Sequence, residues 1–144
     1  MDIRKYFDIT ELVDREVYAI HRVRAWKFLD ETMLHCLYLI RVGLNRPITV
    51  NTTNMQQRGL RHNLSSMVRR KDSIYLSAHM LGKAVDFDVK GMDAEEVREW
   101  IIDNADMFPC KIRLENKKGG KPISWVHLDT IQEPQNDKVH LFNV

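Results

Sequence analysis

The first third of the chain carries apolar residues at helical spacing in two stretches. In the first stretch they recur at intervals of four and three residues, at Val13, Val17 and Ile20. Thr10 is the predicted N-cap of this helix. The second stretch runs from about Asp30 to Val42, and Gly43 is a natural C-terminal stop. Both patterns are typical of helices that pack against a core.

Strand patterns dominate the rest of the chain. After a short predicted strand at Ile48–Val50, the segment from Asn51 to Lys71 has no clean period, and a loop of that length is usually functional or mobile. A helix begins at Asp93, where Glu96 three residues later completes a capping-box pattern. Three further segments alternate apolar and polar residues and are predicted strands: Ala84–Val89, Lys111–Glu115 and Trp125–Thr130.

This element order predicts a single α+β domain over residues 1–144, with a small and mostly antiparallel sheet. Successive side chains point to opposite faces of a strand, so each strand offers one apolar face for the helices. The other face carries polar side chains, among them Asp86, Glu115 and His127. We therefore expect any chemistry on the face of the sheet that the helices leave open.

Composition and charge narrow the possibilities. The chain has 144 residues with 22 Lys plus Arg against 20 Asp plus Glu, a net charge of +2, and its basic residues are scattered. This distribution argues against a nucleic-acid partner, and the short cluster Arg69-Arg70-Lys71 is interpreted as a solvated loop. A chain of this length buries a core without help from a metal. A bound metal would therefore have a functional purpose.

The cysteines and the N-terminus bear on location. Cys36 and Cys110 form no C-x-x-C pair and do not argue for secretion. The N-terminus lacks an apolar signal region, and the longest apolar run, Cys36–Ile40, is too short to cross a bilayer. We expect synthesis in the cytoplasm without membrane insertion, so that action elsewhere requires release by another protein. The sequence does not indicate an oligomeric state.

One segment combines residues that bind metals. His79 stands seven residues before Asp86, and a turn at Gly82 would bring the two side chains together. His127, on the polar face of a later strand, is the third candidate ligand. Two imidazoles and one carboxylate leave an open position on Zn²⁺, as a catalytic site requires. The alternative from spacing alone is a hydrogen-bonded His–Asp pair.

The pattern Ser-x-His-x-x-Gly-x-Ala-x-Asp from Ser77 to Asp86, followed by Trp-Val-His-Leu-Asp at residues 125–129, resembles a family of zinc peptidases. That family includes D-Ala-D-Ala carboxypeptidases, vancomycin-resistance dipeptidases and phage L-alanyl-D-glutamate endopeptidases, and its fold is shared by the signalling domain of hedgehog proteins. The resemblance implies one zinc per chain, bound by His79, Asp86 and His127. It also implies a substrate that is a peptidoglycan stem peptide or a peptide ending in D-Ala-D-Ala.

The resemblance also implies a catalytic carboxylate beside the metal. In phage-like members it ends the strand that pairs with the Trp-x-His strand, and Glu115 matches that position. Other members place the acid three residues before the second histidine, where this chain has Ser124. Asp129 is the rival base, although a partner of His127 or a surface carboxylate is the favoured interpretation of it.

A fixed cation is needed for a developing oxyanion or a substrate carboxylate. The family supplies an arginine from a Gly-aromatic-Arg-Ser segment, which Gly59-Leu60-Arg61-His62 matches imperfectly. Arg61 is our choice, Arg58 is the second, and an exposed arginine without a role is the alternative. Two residues are further substrate-binding candidates, each with an alternative: Ser77, which could instead orient its loop, and Trp125, which could instead pack at the sheet edge. His62 has the weaker prospect of lining the cleft.

The resulting expectation is a zinc peptidase that cleaves bacterial cell-wall peptides, of the D,D-carboxypeptidase or L-Ala-D-Glu endopeptidase type. The absence of a signal region in the sequence and the lack of a wall-binding module fit a phage or prophage lysis enzyme. Two alternatives stay open. One is a cytoplasmic D-Ala-D-Ala dipeptidase, and the other is a zinc-containing binding module of hedgehog type that does not hydrolyse peptides.

Overall fold

Helices and one sheet make up the fold in the computed structural model, which describes residues 2–69, 71–134 and 136–144. The α-helices are α1 (Arg15–His21), α2 (Glu31–Leu44) and α3 (Ala94–Asp103). The strands are β1 (Ile48–Thr49), β2 (Ala84–Val89), β3 (Ile112–Lys118), β4 (Lys121–Asp129) and β5 (Val139–Asn143). Short 3₁₀ helices lie at Ile3–Lys5, Ile9–Glu11, Arg22–Phe28 and Ala105–Met107.

The strands form one open sheet in the order β1-β2-β4-β3-β5. All neighbouring strands are antiparallel except β3 and β5, which are parallel. The predicted α+β class with a mostly antiparallel sheet is therefore confirmed. Two features were not predicted: β5 itself, and the extension of β3 and β4 toward a hairpin turn at Gly119 and Gly120, whose φ angles are +56° and +78°.

One face of the sheet packs against the helices. The buried core joins strand side chains to residues of α2 and α3, including Val85, Phe87, Leu114, Val126 and Leu128 on the sheet and Met33, Leu37, Ile40, Val97 and Ile101 on the helices. These strand residues alternate with polar ones, as the sequence pattern predicts. The polar residues between them point to the other face, which carries the candidate site.

The first predicted helix begins later than expected. Thr10 is not its N-cap, because Asp8 caps the 3₁₀ turn Ile9–Glu11 and accepts a hydrogen bond from the Thr10 backbone nitrogen. The α-helix starts after Asp14, whose Oδ1 accepts from Val17 N at 2.8 Å. Ile20 is 71% exposed, so it lies outside the core. Two aspartates that cap short turns outcompete threonine in this segment.

The boundaries of the other helices are closer to expectation. Helix α2 begins close to its predicted start, with Asp30 as the N-cap, but Gly43 lies within the helix, which ends at Leu44 with Asn45 in the left-handed conformation. Gly43 is required by packing, since an added Cβ would lie 2.5 Å from the ring of Trp100. The capping box of α3 is confirmed, with Asp93 and Glu96 bonded reciprocally at 2.8 and 2.9 Å.

The long segment after β1 has turns and bends but no helix or strand among its described residues, as expected. It is nevertheless fixed to the domain, because Leu60 N donates to Leu12 O at 2.9 Å and the Val68 side chain is buried. Arg69 and Lys71 are exposed, in agreement with a solvated cluster, whereas Arg70 lies outside the described residues.

The predicted turn at Gly82 is present, with φ at +67°. We expect Gly82→Ala to destabilise the fold more than Gly119→Ala. Both changes place a side chain at positive φ, which costs about 1–2 kcal/mol. Only Gly82 also has a steric conflict, because its added Cβ would lie 2.0 Å from Phe28 O, while Gly119 has nothing within 4 Å. Urea unfolding of both variants measures the difference, and equal losses would contradict this assignment.

Within the described ranges, no helix combines the length and the apolar character needed to cross a bilayer.

Candidate metal centre

Three neighbouring strands bring polar side chains into one row. In the antiparallel pairing, Asp86 of β2 lies opposite His127 of β4, and His127 lies opposite Glu115 of β3. Cross-strand partners place their side chains on the same face, close enough to interact. The row therefore lies on the polar face of the sheet, opposite the buried core.

A tight turn adds His79 to this row. Met80 N donates to Ser77 O at 3.0 Å and Gly82 N donates to His79 O at 3.2 Å, so the chain reverses just before β2. Lys83 N closes the turn by donating to Ala78 O at 2.8 Å. This reversal brings His79 next to Asp86, as the spacing of the sequence motif predicts.

The three side chains converge on one buried point. His127 Nδ1 lies 2.7 Å from Asp86 Oδ1, and His79 Nε2 lies 3.3 Å from the same oxygen. The two imidazole rings have their centroids 5.1 Å apart. The ligand atoms of His79, Asp86 and His127 all lie within 4.8 Å of one another, and the three residues are buried. This group can hold a metal ion.

In each imidazole, the outer nitrogen, which is the one that points away from the shared point, lies at hydrogen-bond distance from an oxygen. His79 Nδ1 lies 2.8 Å from Gly59 O, and because a carbonyl only accepts, Nδ1 carries a proton and donates it. A protonated ring can donate its second N–H, on Nε2, to the Asp86 carboxylate, whereas a neutral ring turns the Nε2 lone pair toward that carboxylate and suits a cation between the two. His127 Nε2 is similarly held by Asp129 Oδ2 at 3.0 Å. Both rings thus turn one nitrogen toward the shared point, which fits a divalent metal.

Charges in the group are strongly coupled. Burial raises the pKa of Asp86, but hydrogen bonds and charges from His127 and His79 outweigh it and hold that pKa well below its usual range. Burial lowers the pKa of His127, but its hydrogen bonds with Asp129 and Asp86 raise it to about 9. The metal-free chain therefore keeps an ionised carboxylate beside an imidazolium.

We expect the metal-free protein to lose stability as pH rises from about 6.5 to about 9. His127 has a pKa of about 9 in the folded chain and 6.5 as its ordinary value, so the folded state binds more protons in this window. The contribution is complete below about pH 6.5 and is lost as the pH passes the folded value. Urea unfolding in the presence of a chelator measures it, and His127→Gln should flatten the decline. An unchanged decline in that variant would contradict the assignment to His127.

Glu115 is half-buried and stands directly across the strand pair from His127. The structure therefore brings the predicted base to the metal-binding group. Strand pairing is regular up to this point and shifts between Glu115 and Lys117, where the β3–β4 register is interrupted. Glu115 thus lies at the end of the regular pairing, where its side chain borders the site.

Arg61 also lies in the site. Its Nη2 donates to Asp86 Oδ2 at 3.2 Å and its Nε donates to Gln57 O at 2.7 Å. Burial lowers the pKa of Arg61 below its ordinary value, and the charges of Asp86, Tyr75 and Glu115 offset only part of this effect. Arg58, the second choice, instead pairs with Asp88 at 2.7 Å. The first choice is therefore the arginine in contact with the metal-binding group.

The remaining sequence candidates, Ser77 and Trp125, have hydrogen bonds outside the metal-binding group. Ser77 Oγ accepts from Met80 N at 3.4 Å, a contact that supports its alternative role in orienting the loop. Trp125 is half-buried in β4, and its carbonyl accepts from Arg98 Nη1 at 3.1 Å. The roles of Ser77 and Trp125 toward substrate stay predictions.

Sequence reasoning missed two supports of the site. Arg113 pairs with Asp129 through its Nε and Nη2 atoms. The Phe142 ring of β5 contacts the His127 ring edge-on, with the two ring centroids 5.8 Å apart. The alternation of Lys111–Glu115 already placed Arg113 on the polar face, but nothing in that pattern identified its partner. Phe142 could be found only from the apolar run at the C-terminus.

His62 belongs to a second group with acidic neighbours. Its Nε2 lies 2.7 Å from Asp14 Oδ2 and 3.0 Å from Glu16 Oε2. However, Leu64 N donates to Nδ1 of the ring at 3.1 Å, which leaves the ring proton on Nε2. Asp14, Glu16 and His62 also have ligand atoms within 4.8 Å of one another, but a metal there would require Nε2 to lose the proton that the Leu64 hydrogen bond assigns to it.

Comparison of the chain with protein-family models, with curated proteins and with solved structures gives no match. The resemblance to zinc peptidases therefore depends on the two sequence motifs alone and stays a prediction.

Proposed function

We propose that this protein is a zinc-dependent peptidase that hydrolyses peptides of the bacterial cell wall. The observation that carries the proposal is the buried convergence of His79, Asp86 and His127, with both outer imidazole nitrogens bonded to acceptors. Two histidines and one carboxylate are a ligand set that catalytic zinc uses. When bound, zinc supplies Lewis acidity, which polarises a carbonyl and acidifies water.

The chain's own residues supply the remaining chemistry. Glu115 borders the group and takes the proton of the attacking water as the new C–O bond forms. It returns that proton to the leaving amine when the C–N bond breaks. Arg61 has a guanidinium edge that is not used by Asp86 or Gln57, and it stabilises the negative oxygen or binds a substrate carboxylate.

The substrate class follows from the resemblance of the motifs. We propose a peptidoglycan stem peptide or a peptide ending in D-Ala-D-Ala, with Trp125 contacting the peptide and Ser77 contacting it or orienting the motif turn. Release of the protein during phage lysis is part of the same proposal. Detection of the protein outside intact, unlysed cells of its host would count against that placement.

The test is incubation of the zinc-loaded protein with purified sacculi, followed by mass analysis of the soluble fragments. We expect fragments with a new amine and a new carboxylate, no release in the presence of a chelator, and recovery when zinc is restored. The masses identify the bond. Failure to cleave both sacculi and isolated stem peptides would overturn the proposal.

A dipeptidase that acts on free D-Ala-D-Ala is the second candidate, because Arg61 can bind the carboxylate of a short substrate. Parallel assays with the dipeptide separate the two. Cleavage of the dipeptide together with inert sacculi favours the dipeptidase. The reverse result favours the wall hydrolase.

A further inference from the structure

The His127 nitrogen that points away from the metal-binding group contacts a carboxylate that has several other hydrogen-bond partners. Asp129, which is 1% exposed, approaches His127 Nε2 with Oδ2 at 3.0 Å. The same carboxylate accepts two hydrogen bonds from Arg113, at 2.9 Å from Nε and 3.0 Å from Nη2. Ile131 N adds a fourth donor at 3.1 Å. A buried carboxylate with this many donors has a defined orientation.

Arg113 is itself held from other directions. Its Nη1 donates to Glu133 Oε1 at 2.6 Å, and its guanidinium lies over the Phe142 ring at 4.8 Å from the ring centre. Phe142 also contacts the His127 ring. In the sheet, Arg113 lies directly opposite Asp129, one row below the pair of Glu115 and His127. Arg113 and Asp129 therefore form a second row of polar side chains, which supports the row that contains His127.

The chemistry of these donors determines the state of His127. Arg113 donates to both oxygens of Asp129 and Ile131 N donates to Oδ1, so a fixed positive charge and a backbone donor hold this side chain as an ionised carboxylate. An ionised carboxylate only accepts hydrogen bonds. His127 Nε2 must therefore carry a proton, and in the neutral ring the lone pair is on Nδ1, which is the atom that faces Asp86.

We propose that Asp129 and Arg113 are positioning residues that fix the tautomer and ring orientation of His127, so that Nδ1 is the metal ligand. Asp129 acts through His127 and does not act as the base. Its Oδ1 accepts from Arg113 Nε and Ile131 N, and its Oδ2 accepts from Arg113 Nη2 and His127 Nε2. These four bonds occupy the acceptor sites that a substrate proton would need. The inference builds on the metal centre of the proposed function.

The test compares Asp129→Asn with Glu133→Gln in the full chain. The asparagine keeps the size of the side chain but has one acceptor oxygen: if that oxygen faces His127, the amide NH₂ faces the donors Arg113 Nε and Ile131 N. We expect its zinc affinity, measured by competition with a chromophoric chelator, to fall about 10–100-fold. Glu133 is an outer partner of Arg113 and is half-exposed, so Glu133→Gln should change the affinity less than about twofold. Wild-type affinity in Asp129→Asn would overturn the proposal.

A spectroscopic readout separates tautomer control from a general structural effect. Nitrogen NMR of the chelator-treated wild-type protein, at a pH above the His127 pKa of about 9 where the ring is neutral, should show a protonated Nε2 on His127, and Asp129→Asn should shift this signal toward a mixture of the two tautomers. Arg113→Lys keeps the charge and loses the fork, so it should lower the affinity to an intermediate degree. If Asp129→Asn does not fold, the Arg113→Lys spectrum decides: an unaltered Nε2 signal with unaltered affinity overturns the proposal.

These measurements use zinc alone and need no peptide. If the wild-type protein fails to cleave peptides but Asp129→Asn loses zinc affinity, the proposed function fails while the positioning role stands. If the wild-type protein cleaves peptides and the variant keeps its affinity and tautomer, the positioning role fails by itself. A wild-type chain that binds no zinc overturns both.

Discussion

Replacing His79 by alanine is expected to remove zinc from the protein and to abolish measurable hydrolysis. His79 supplies one of the three convergent ligand atoms, and Nδ1 of the same ring anchors it to Gly59 O. Loss of a direct ligand should cost more affinity than the roughly 100-fold upper range for an outer partner. Elemental analysis after dialysis against limiting zinc, with stem-peptide cleavage in parallel, measures both losses.

The matched control is His35→Ala on α2, a histidine to which neither the sequence nor the structure assigns a role in the site. It should keep about one zinc per chain and normal turnover. Full zinc occupancy in His79→Ala would contradict the proposed site, because it would show that the metal lies elsewhere.

The second large effect is expected from Glu115→Gln, which should keep zinc and lose turnover by about 10²–10⁴-fold. The amide matches the carboxylate in shape but cannot take a proton from water. Because Glu115 is absent from the group of convergent ligand atoms, zinc occupancy should be unaffected. Steady-state cleavage of a stem peptide, together with metal analysis of the same sample, tests both halves of this prediction.

Glu99→Gln, at an exposed position of α3, is the control for the loss of a negative charge. Turnover close to wild type in Glu115→Gln would remove Glu115 as the base. The same variant addresses the hedgehog-like alternative: a chain that binds cell-wall peptides with equal affinity before and after the substitution, and never cleaves them, is a binding module.

Zinc removal should affect activity much more than folding. The buried apolar residues of the sheet and of helices α2 and α3 form one continuous core on the face opposite the metal-binding group. In contrast, His79, Asp86 and His127 are on the polar face, where a bound metal would join a turn to two strands. A chelated sample should therefore retain its secondary structure by circular dichroism while it loses hydrolysis.

The parts of the fold that local sequence determines could be predicted. The alternation in Ala84–Val89 gave the correct strand and the correct polar face, because that period depends only on neighbouring residues. The capping box at Asp93 and the turn at Gly82 are likewise local features. The spacing of His79, Gly82 and Asp86 was therefore sufficient to predict that His79 and Asp86 lie next to each other.

The parts that depend on distant contacts could not be predicted. Gly43 looked like a helix stop, but its function is to admit the Trp100 ring of another helix. Strand β5 is only half-buried and pairs in parallel with β3, so its residues lack a clean alternation. The link between Arg113 and Asp129 follows from strand register, which a single strand pattern does not contain.

The most direct test of the central claim is a calorimetric titration of zinc into chelator-treated protein, with circular dichroism before and after. The account predicts a folded metal-free chain that binds one zinc at a single tight site, and loss of that site in His79→Ala. A chain that binds no zinc, or one that binds it equally well after His79→Ala, would contradict the account.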